Sequence, residues 1–277
     1  MVEKAALTPD GLHQGAPGEL HQVKTSWSPY DHLSDGMRAR LRRGWRALGF
    51  DRRVASDLRY EIDMLLLRSR CALSPAYRRQ VRDLAGRRGL TVHLGCGNAL
   101  FPGWLNVDCY PPASRNGAEV LTVDMRRGLP LADQSVQAVF SEHFLEHLAV
   151  ETVRTVILPE LRRVLEPGGR ARLAVPDGEY FVGQYMRSRR GETDPLFEAN
   201  RGTATPMTML NDIAHGFGHR FLYDFETLSS LLKSAGFATV ERSTAGHTDT
   251  NAFIGKDRID PWRQAMSLYV EATVPSL

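Results

Sequence analysis

The segment LTVHLGCGN, residues 90–98, is a short and largely apolar run that ends in two glycines one residue apart. A strand that ends at Gly95 and Gly97 lets the backbone turn sharply and approach a ligand closely, because neither glycine carries a Cβ atom. A dinucleotide site would place a third glycine three residues later, where this chain has Leu100. The segment therefore argues against a nicotinamide cofactor and is compatible with a ligand that has no phosphate groups.

Apolar runs and helical stretches alternate after this segment. The further strand-like runs are residues 104–107, 120–123, 136–140 and 171–175. The clearest helical runs are residues 150–165 and 179–189. A helix over 225–235 and two strands, 238–242 and 267–273 with a long loop between them, complete the pattern. Strands that alternate with helices predict βαβ units, and hence an α/β fold with a mostly parallel sheet.

The chain before residue 89 has a different character. Residues 1–30 are rich in Gly, Pro and His and lack periodicity, so we expect a mobile N-terminal arm. Helices are predicted over 37–48, over 53–70 and from Ser74-Pro75 to about Ala85. The evidence for the second helix is an apolar stripe of Val54, Leu58, Ile62, Leu65 and Leu66. We thus divide the chain into an arm (1–30), a helical region (31–88) and a ligand-binding α/β domain (89–277). The helical region could cap a cofactor site or serve packing, including a homodimer contact.

Composition limits the environment and the partners. No run of about 18 apolar residues exists and the N-terminus lacks a basic region followed by an apolar stretch, so we expect no membrane span and no secretory signal. Cys71, Cys96 and Cys109 show no CxxC pairing, which favours a reducing cytoplasm over a disulfide framework. Many arginines lie between Met37 and Arg88 and could contact RNA or an anionic substrate, although a solvated helix face is the favoured interpretation.

Two acids follow predicted strands close to the glycine pair. Asp108 ends the second strand, where its carboxylate could accept hydrogen bonds from both hydroxyls of a ribose. The distance from Gly97 is short, so the helix that normally lies between these strands is reduced or lost. Asp124 ends the third strand, where its carboxylate and the next backbone N–H, that of Met125, could read an adenine edge.

The motifs LGCG (94–97), VD (123–124), SEHFLEHL (141–148) and LEPGG (165–169) occur in an order that resembles class I S-adenosylmethionine (SAM)-dependent methyltransferases. Within them the chain is similar to bacterial methyltransferase type 11-like enzymes, which are often associated with glycan or natural-product tailoring. The resemblance covers about residues 52–275 and implies a Rossmann-like seven-stranded sheet with an antiparallel last strand. The chain departs from the family pattern at Val136-Gln137, where Phe-Asp is common.

The resemblance also implies SAM as the cofactor and roles for particular residues. Gly95 and Gly97 are expected to approach its methionyl part, Asp108 to hold the ribose, and Asp124 with Met125 to frame the adenine. The predicted cofactor-binding residues are Gly95, Cys96, Gly97, Asn98, Asp108, Asp124, Met125 and Ser141.

Candidates for the chemical step follow the fourth and fifth strands, because the carboxyl ends of parallel strands face the ligand crevice. They are His143 as a base and Asp177 or Tyr180 to orient or deprotonate an acceptor. Glu142 could instead pair with a cationic amine, including that of the cofactor. Capping of the next helix is the alternative for Asp177. A Gly-containing segment with His215, His219, Arg220 and Tyr223 could form a lid or a plain surface loop.

Two histidine pairs are each spaced by four residues, His143 with His147 and His215 with His219. Together with Glu142 they could form a metal cluster. We expect no metal site, because no complete ligand set occurs at a reliable spacing and His147 fits a core or capping role. Methyl transfer from a sulfonium also releases a neutral leaving group and requires no metal.

Three functions remain open from the sequence. The first is methyl transfer to an O, N or C atom of a small molecule or glycan in tailoring or secondary metabolism, with no nucleic-acid partner. The second is another use of SAM: 3-amino-3-carboxypropyl transfer, or cyclisation of SAM that releases methylthioadenosine. The third is an RNA- or partner-binding module with a vestigial SAM site, against which the intact Gly95, Gly97, Asp108 and Asp124 argue.

Overall fold

A seven-stranded sheet organises the computed structural model, which describes Gly44, Gly49 and residues 52–276. The strands are β1 (Leu90–Leu94), β2 (Leu105–Asp108), β3 (Val120–Thr122), β4 (Val136–Glu142), β5 (Leu165–Pro176), β6 (Thr239–Ser243) and β7 (Ser267–Thr273). Their order across the sheet is β3-β2-β1-β4-β5-β7-β6. β1 to β5 pair in parallel, and β7 pairs antiparallel with both β5 and β6. The predicted mostly parallel sheet with an antiparallel last strand is confirmed.

The central strands supply the main hydrophobic core. Val92, Val107, Val139 and Leu173 are fully buried, and they belong to β1, β2, β4 and β5 in turn. Parallel strands covered on both faces are typically such continuous apolar runs. Since the carboxyl ends of β1 to β5 lie at one edge of the sheet, the residues that follow them share one crevice.

Nine α-helices surround the sheet within the described residues. They are α1 (Arg52–Leu73), α2 (Pro75–Ala85), α3 (Val150–Thr152), α4 (Leu158–Val164), α5 (Gly178–Arg189), α6 (Pro195–Arg201), α7 (Pro206–His215), α8 (Phe225–Ser234) and α9 (Pro261–Met266). Among the described residues, no helix combines the length and the apolar character needed to cross a membrane.

Several predicted boundaries are wrong. The predicted helix over 150–165 contains a π-helical turn at Val153–Ile157 between α3 and α4. β5 begins at Leu165 because the LEPGG segment continues the strand, six residues before the predicted start at 171. The predicted loop before β7 holds α9, which Asp260 caps by accepting a hydrogen bond from the Arg263 N–H.

α6 and α7 are absent from the sequence prediction, although both begin with a capping residue and a proline. Their apolar residues meet those of α5 and α9 in a second core of Phe181, Phe197, Met209, Ile213 and Met266. This second core builds a wall beside the carboxyl end of β5, because α5 begins directly after that strand.

α1 lies across the carboxyl ends of β2 and β3. Its Cys71 Sγ donates to the Thr122 carbonyl at 3.6 Å, and its Glu61 pairs with Arg126 at 2.6 Å. Ala55 and Met64 are buried, whereas the predicted stripe from Val54 to Leu66 is 45–58% exposed. The helix is therefore confirmed, but its apolar stripe does not pack on the sheet. The predicted arm over 1–30 and nearly all of the predicted helix over 37–48 lie outside the described residues, and the proposed division at residues 30 and 88 stays a prediction.

Candidate active site

The loop after β1 turns at two glycines, as the sequence predicts. Gly95 has φ +69° and Gly97 has φ +51°, a region that favours glycine. A Cβ atom at Gly95 would lie 2.5 Å from Cβ and Cγ of Phe144, whereas one at Gly97 would meet no atom within 4 Å. The absence of a side chain at Gly95 therefore lets the segment after β4 pack directly on the glycine loop.

We expect Gly95→Ala to lower the free energy of unfolding by about 3 kcal/mol, of which about 1 kcal/mol reflects the positive φ and the rest the collision with Phe144. Gly103→Ala is the matched control, because Gly103 has φ +76° and a Cβ atom added there would meet no atom within 4 Å. It should cost only about 1 kcal/mol. Urea unfolding measures both, and equal losses would show that Phe144 yields easily.

Asp108 connects β2 to the glycine loop. Its Oδ2 accepts a hydrogen bond from the Gly97 N–H at 2.8 Å, and its Oδ1 accepts one from the Tyr110 N–H at 3.1 Å. Each carboxylate oxygen has a further lone pair, so the group can still accept hydrogen bonds from a diol. Burial raises the pKa of Asp108 above its usual range, although these backbone donors oppose the shift.

The other predicted residues of the loop differ in accessibility. Cys96 is buried, and burial raises its pKa to about 12, which makes the thiol a packing group rather than a nucleophile. Asn98 is exposed, and its Oδ1 accepts a hydrogen bond from the Ala113 N–H at 2.9 Å.

Asp124 has partners that the sequence did not predict. Its carboxylate is 2% exposed. It accepts hydrogen bonds from Nε of Arg126 at 3.0 Å and from Nη2 of the same residue at 3.1 Å. Arg126 also pairs with Glu61 of α1 and lies 4.6 Å from the ring centre of Tyr60. Met125, next to it, is buried in a short 3₁₀ helix that Asp124 caps. Their adenine contacts stay a prediction, and Arg126 is a further polar group beside that position.

The end of β4 carries three of the predicted residues. Ser141 is buried, and its hydroxyl has no hydrogen-bond partner among the described residues. Glu142 lies 3.6 Å from Nε of Arg263 and 3.9 Å from Nε of Arg258, while its burial raises its pKa. These two arginines come from the region of α9, so the loop before β7 reaches the crevice.

That loop is anchored through Arg172, a fully buried residue of β5. Its guanidinium pairs with Asp257 at 2.5 Å and with Glu271 of β7 at 2.6 Å. Because Asp257 precedes Arg258 in the chain, the ion pair fixes the backbone from which that arginine extends toward Glu142.

His143 follows β4 with φ +52°. Its Nε2 lies 2.8 Å from the Ser267 hydroxyl, and its Nδ1 lies 3.3 Å from Oε1 of Glu146. Burial lowers the pKa of His143 well below its usual range, so the ring is neutral at neutral pH. A neutral imidazole with a carboxylate on one side has the arrangement of a general base.

The residues after β5 have mainly structural contacts. Asp177 caps α5 by accepting a hydrogen bond from the Glu179 N–H at 3.0 Å, which is the alternative that the sequence left open. The Tyr180 ring packs against Phe181, Phe197 and Trp262. Its hydroxyl is buried near Gln184, and burial raises the pKa of Tyr180 to about 12.

Comparisons with known proteins match this arrangement to a family. Residues 92–173, from β1 into β5, match the family described as "Methyltransferase domain". This segment of the chain is a methyltransferase domain. SAM is accordingly its cofactor, and the glycine loop and Asp108 lie within the matched segment.

Individual relatives are distant. A curated relative from Mus musculus, the tRNA (carboxymethyluridine(34)-5-O)-methyltransferase ALKBH8, is 24% identical over 190 residues, which cover 62% of this chain and 28% of the relative. The chain thus matches well under a third of that protein's length. A SAM-dependent methyltransferase structure from Archaeoglobus fulgidus is 17% identical, with 76% of this chain and 94% of that chain covered and a TM-score of 0.43. The SAM complex of Haemonchus contortus phosphoethanolamine N-methyltransferase 2 is 13% identical, with 78% and 56% covered and a TM-score of 0.41.

The fold also brings together residues that sequence spacing did not pair. Glu146, His147 and His219 form a cluster whose possible metal-ligand atoms lie within 4.8 Å of one another; we call it the histidine–carboxylate cluster. The pairing follows from the segment after α7, where the N–H groups of Arg220 and Phe221 donate to the Glu146 carbonyl at 2.7 and 3.3 Å. Glu142, the acid considered from the sequence, faces the two arginines instead.

The predicted lid segment is packed rather than a plain surface loop. His219 and Tyr223 are buried, and Arg220 pairs with Asp57 of α1 at 2.6 Å. His215 ends α7, so the predicted loop begins only at Gly216. Tyr223 forms a β-bridge with Asp177 and thereby attaches the segment to the end of β5.

Proposed function

We propose that this methyltransferase acts on an O, N or C atom of a small molecule or glycan. The observation that carries the proposal is the convergence of the glycine loop, Asp108, Ser141 and His143 at the carboxyl edge of the sheet. α1 covers one side of this edge, and the second core of α5, α6, α7 and α9 builds the other side. Walls on both sides favour an acceptor of limited size.

The chemistry requires alignment more than activation. SAM held at the glycine loop and Asp108 would supply a methyl group on a sulfonium. An acceptor lone pair would bond to the methyl carbon in line while the electrons of the carbon–sulfur bond pass to sulfur, which gives the neutral thioether S-adenosylhomocysteine. A hydroxyl or ammonium acceptor also loses a proton. In this proposal His143 receives that proton, and Glu146, whose Oε1 lies 3.3 Å from His143 Nδ1, stabilises the charged ring. The orphan hydroxyl of Ser141 and the side chain of Tyr180 are candidates for holding the cofactor or the acceptor.

RNA is the second candidate acceptor, and two observations favour it. The curated mouse relative is named as a tRNA methyltransferase. In addition, Arg78, Arg79, Arg82 and Arg88 are exposed on α2 and just after it. Arginines on one face can contact phosphates, in which case binding weakens steeply with salt. An uncharged small acceptor would show no such dependence.

Incubation of the protein with SAM, alone and then with candidate small molecules, glycans or tRNA, tests the proposal by mass analysis of every product. We expect S-adenosylhomocysteine together with an acceptor that gains one methyl group. Methylthioadenosine would instead indicate transfer or cyclisation of the aminocarboxypropyl part. Methylation of tRNA alone, with salt-dependent binding, would replace the small acceptor by RNA.

A further inference from the structure

The carboxylate of Glu146 is the most unusual polar group of the histidine–carboxylate cluster. Its side chain is 0% exposed, and neither oxygen accepts a hydrogen bond of normal geometry from another described residue. A buried carboxylate without a compensating partner costs several kcal/mol. A cation bound at this point would remove that cost.

In each of the two histidines of the cluster, one ring nitrogen faces the protein backbone. His219 Nδ1 lies 2.6 Å from the Ile213 carbonyl, which leaves Nε2 directed toward Glu146 Oε1 at 4.0 Å. Nδ1 of His147 faces the backbone of Gly218, where an added Cβ atom would lie 3.7 Å from it. Metal-binding histidines typically donate their second ring N–H to a backbone carbonyl or a carboxylate, which fixes the tautomer and the orientation of the ring.

The spacing of the cluster suits one ion. The ligand atoms lie within 4.8 Å of one another, and ligands about 2.1 Å from a tetrahedral ion lie about 3.4 Å apart. Binding of one ion by all three side chains would require rotations that close this difference. His143 Nδ1 lies 3.3 Å from Glu146 Oε1 and can donate to that carboxylate as an outer partner, which is a common arrangement around metal ligands.

We propose that Glu146, His147 and His219 bind one zinc ion. Two imidazoles and one carboxylate favour zinc over magnesium or calcium, which prefer sites made only of oxygen atoms. Three protein ligands leave a fourth position for water or another small ligand. The ion would join the turn after β4 to the segment after α7, two parts of the chain that also meet through the backbone bonds to the Glu146 carbonyl. The proposal does not depend on the acceptor class.

Zinc titration of the full chain, stripped of metal by a chelator, tests the site. We expect one zinc ion per chain by calorimetry and a higher midpoint of thermal unfolding with zinc than without it. Glu146→Gln keeps the size of the side chain and removes its charge, and it should weaken zinc binding at least 100-fold. His219→Ala should do the same, whereas His247→Ala, which removes an exposed histidine outside the cluster, should bind zinc normally.

Two outcomes would overturn the proposal: no stoichiometric zinc binding by the unsubstituted chain, or equal affinity in Glu146→Gln. The comparison with Glu146→Gln also distinguishes zinc bound at this site from zinc bound by His13, His21 or His32, which lie outside the described residues. Should the variants fail to fold, the visible spectrum of the cobalt-loaded unsubstituted protein decides. An intense four- or five-coordinate spectrum supports the site, and a weak six-coordinate one of hydrated cobalt contradicts it.

Discussion

Asp108→Ala is expected to lower the affinity for SAM by about 3 kcal/mol, or roughly 150-fold in Kd, the scale of losing charged hydrogen bonds at a shielded site. The substitution removes two things together: the acceptor proposed for the ribose hydroxyls and the acceptor of the Gly97 N–H at 2.8 Å. Both losses act on the same loop, so the effect should exceed that of any other single change in the cofactor site. Calorimetric titration with SAM and with S-adenosylhomocysteine measures it.

Two further variants test whether the lost carboxylate acceptor causes the loss of SAM affinity. Asp108→Asn keeps one carbonyl acceptor and should lose less affinity than Asp108→Ala, because an amide binds a diol through one acceptor only. Asp249→Ala removes an exposed aspartate elsewhere and should leave binding unchanged. Unchanged affinity in Asp108→Ala, in a protein that still folds, would mean that another residue holds the ribose.

The same residue predicts a dependence on pH. The carboxylate must be ionised to accept two hydroxyl donors, and its pKa lies above the ordinary value. SAM affinity should therefore fall on acidification at a higher pH than for an ordinary aspartate, and Asp108→Asn should remove this dependence. The neighbouring thiols of Cys96 and Cys109 do not interfere, because burial raises the pKa of both away from the acidic range.

His143→Ala is expected to lower turnover by about 10²- to 10⁴-fold at saturating SAM, the range associated with loss of a positioned acid–base group. SAM affinity should stay nearly the same, because no described contact joins His143 to the glycine loop or to Asp108. Tyr180→Phe should have the same pattern with a smaller effect. Turnover is measured with the acceptor identified by product analysis, and His247→Ala is the matched histidine control.

Other outcomes would reassign the site. Full turnover in both variants would move the chemistry to His215, His219 or Tyr223. Loss of SAM binding in both would place His143 and Tyr180 in the cofactor pocket and leave the acceptor site open. A loss of turnover without a change in Kd marks a group that acts on the transition state or on the acceptor.

The sequence predicted the glycine turn after β1 and the acids that follow β2 and β3, because the decisive features there are local. Two glycines after an apolar run require a turn, and acids after the next two strands lie at the same sheet edge once the strands are parallel. Local patterns could not show that Phe144 packs on Gly95, or that Arg126 pairs with Glu61 and thereby links Asp124 to α1. These contacts depend on which elements the tertiary fold brings together.

The part of the site that follows β4 was harder to predict from the sequence, for a different reason. Spacing by four suggested that His143 faces His147, but a 3₁₀ helix at Leu145–His147 replaces the α-helix on which that rule depends. His147 instead meets His219, a residue distant in sequence, and Glu146 joins them. By contrast, α6 and α7 were missed although the sequence contains a signal for both, since Asp194-Pro195 and Thr205-Pro206 are ordinary helix starts.

The position of β7 between β5 and β6 has a consequence for synthesis on the ribosome. Until Ser267–Thr273 has left the exit tunnel, β5 presents an unpaired edge, β6 has no neighbour, and Arg172 lacks its partner Glu271. Unpaired edges of this kind are sites of aggregation and chaperone binding. The nascent chain therefore cannot complete its sheet vectorially from the N-terminus, because a strand late in the sequence lies between two earlier ones.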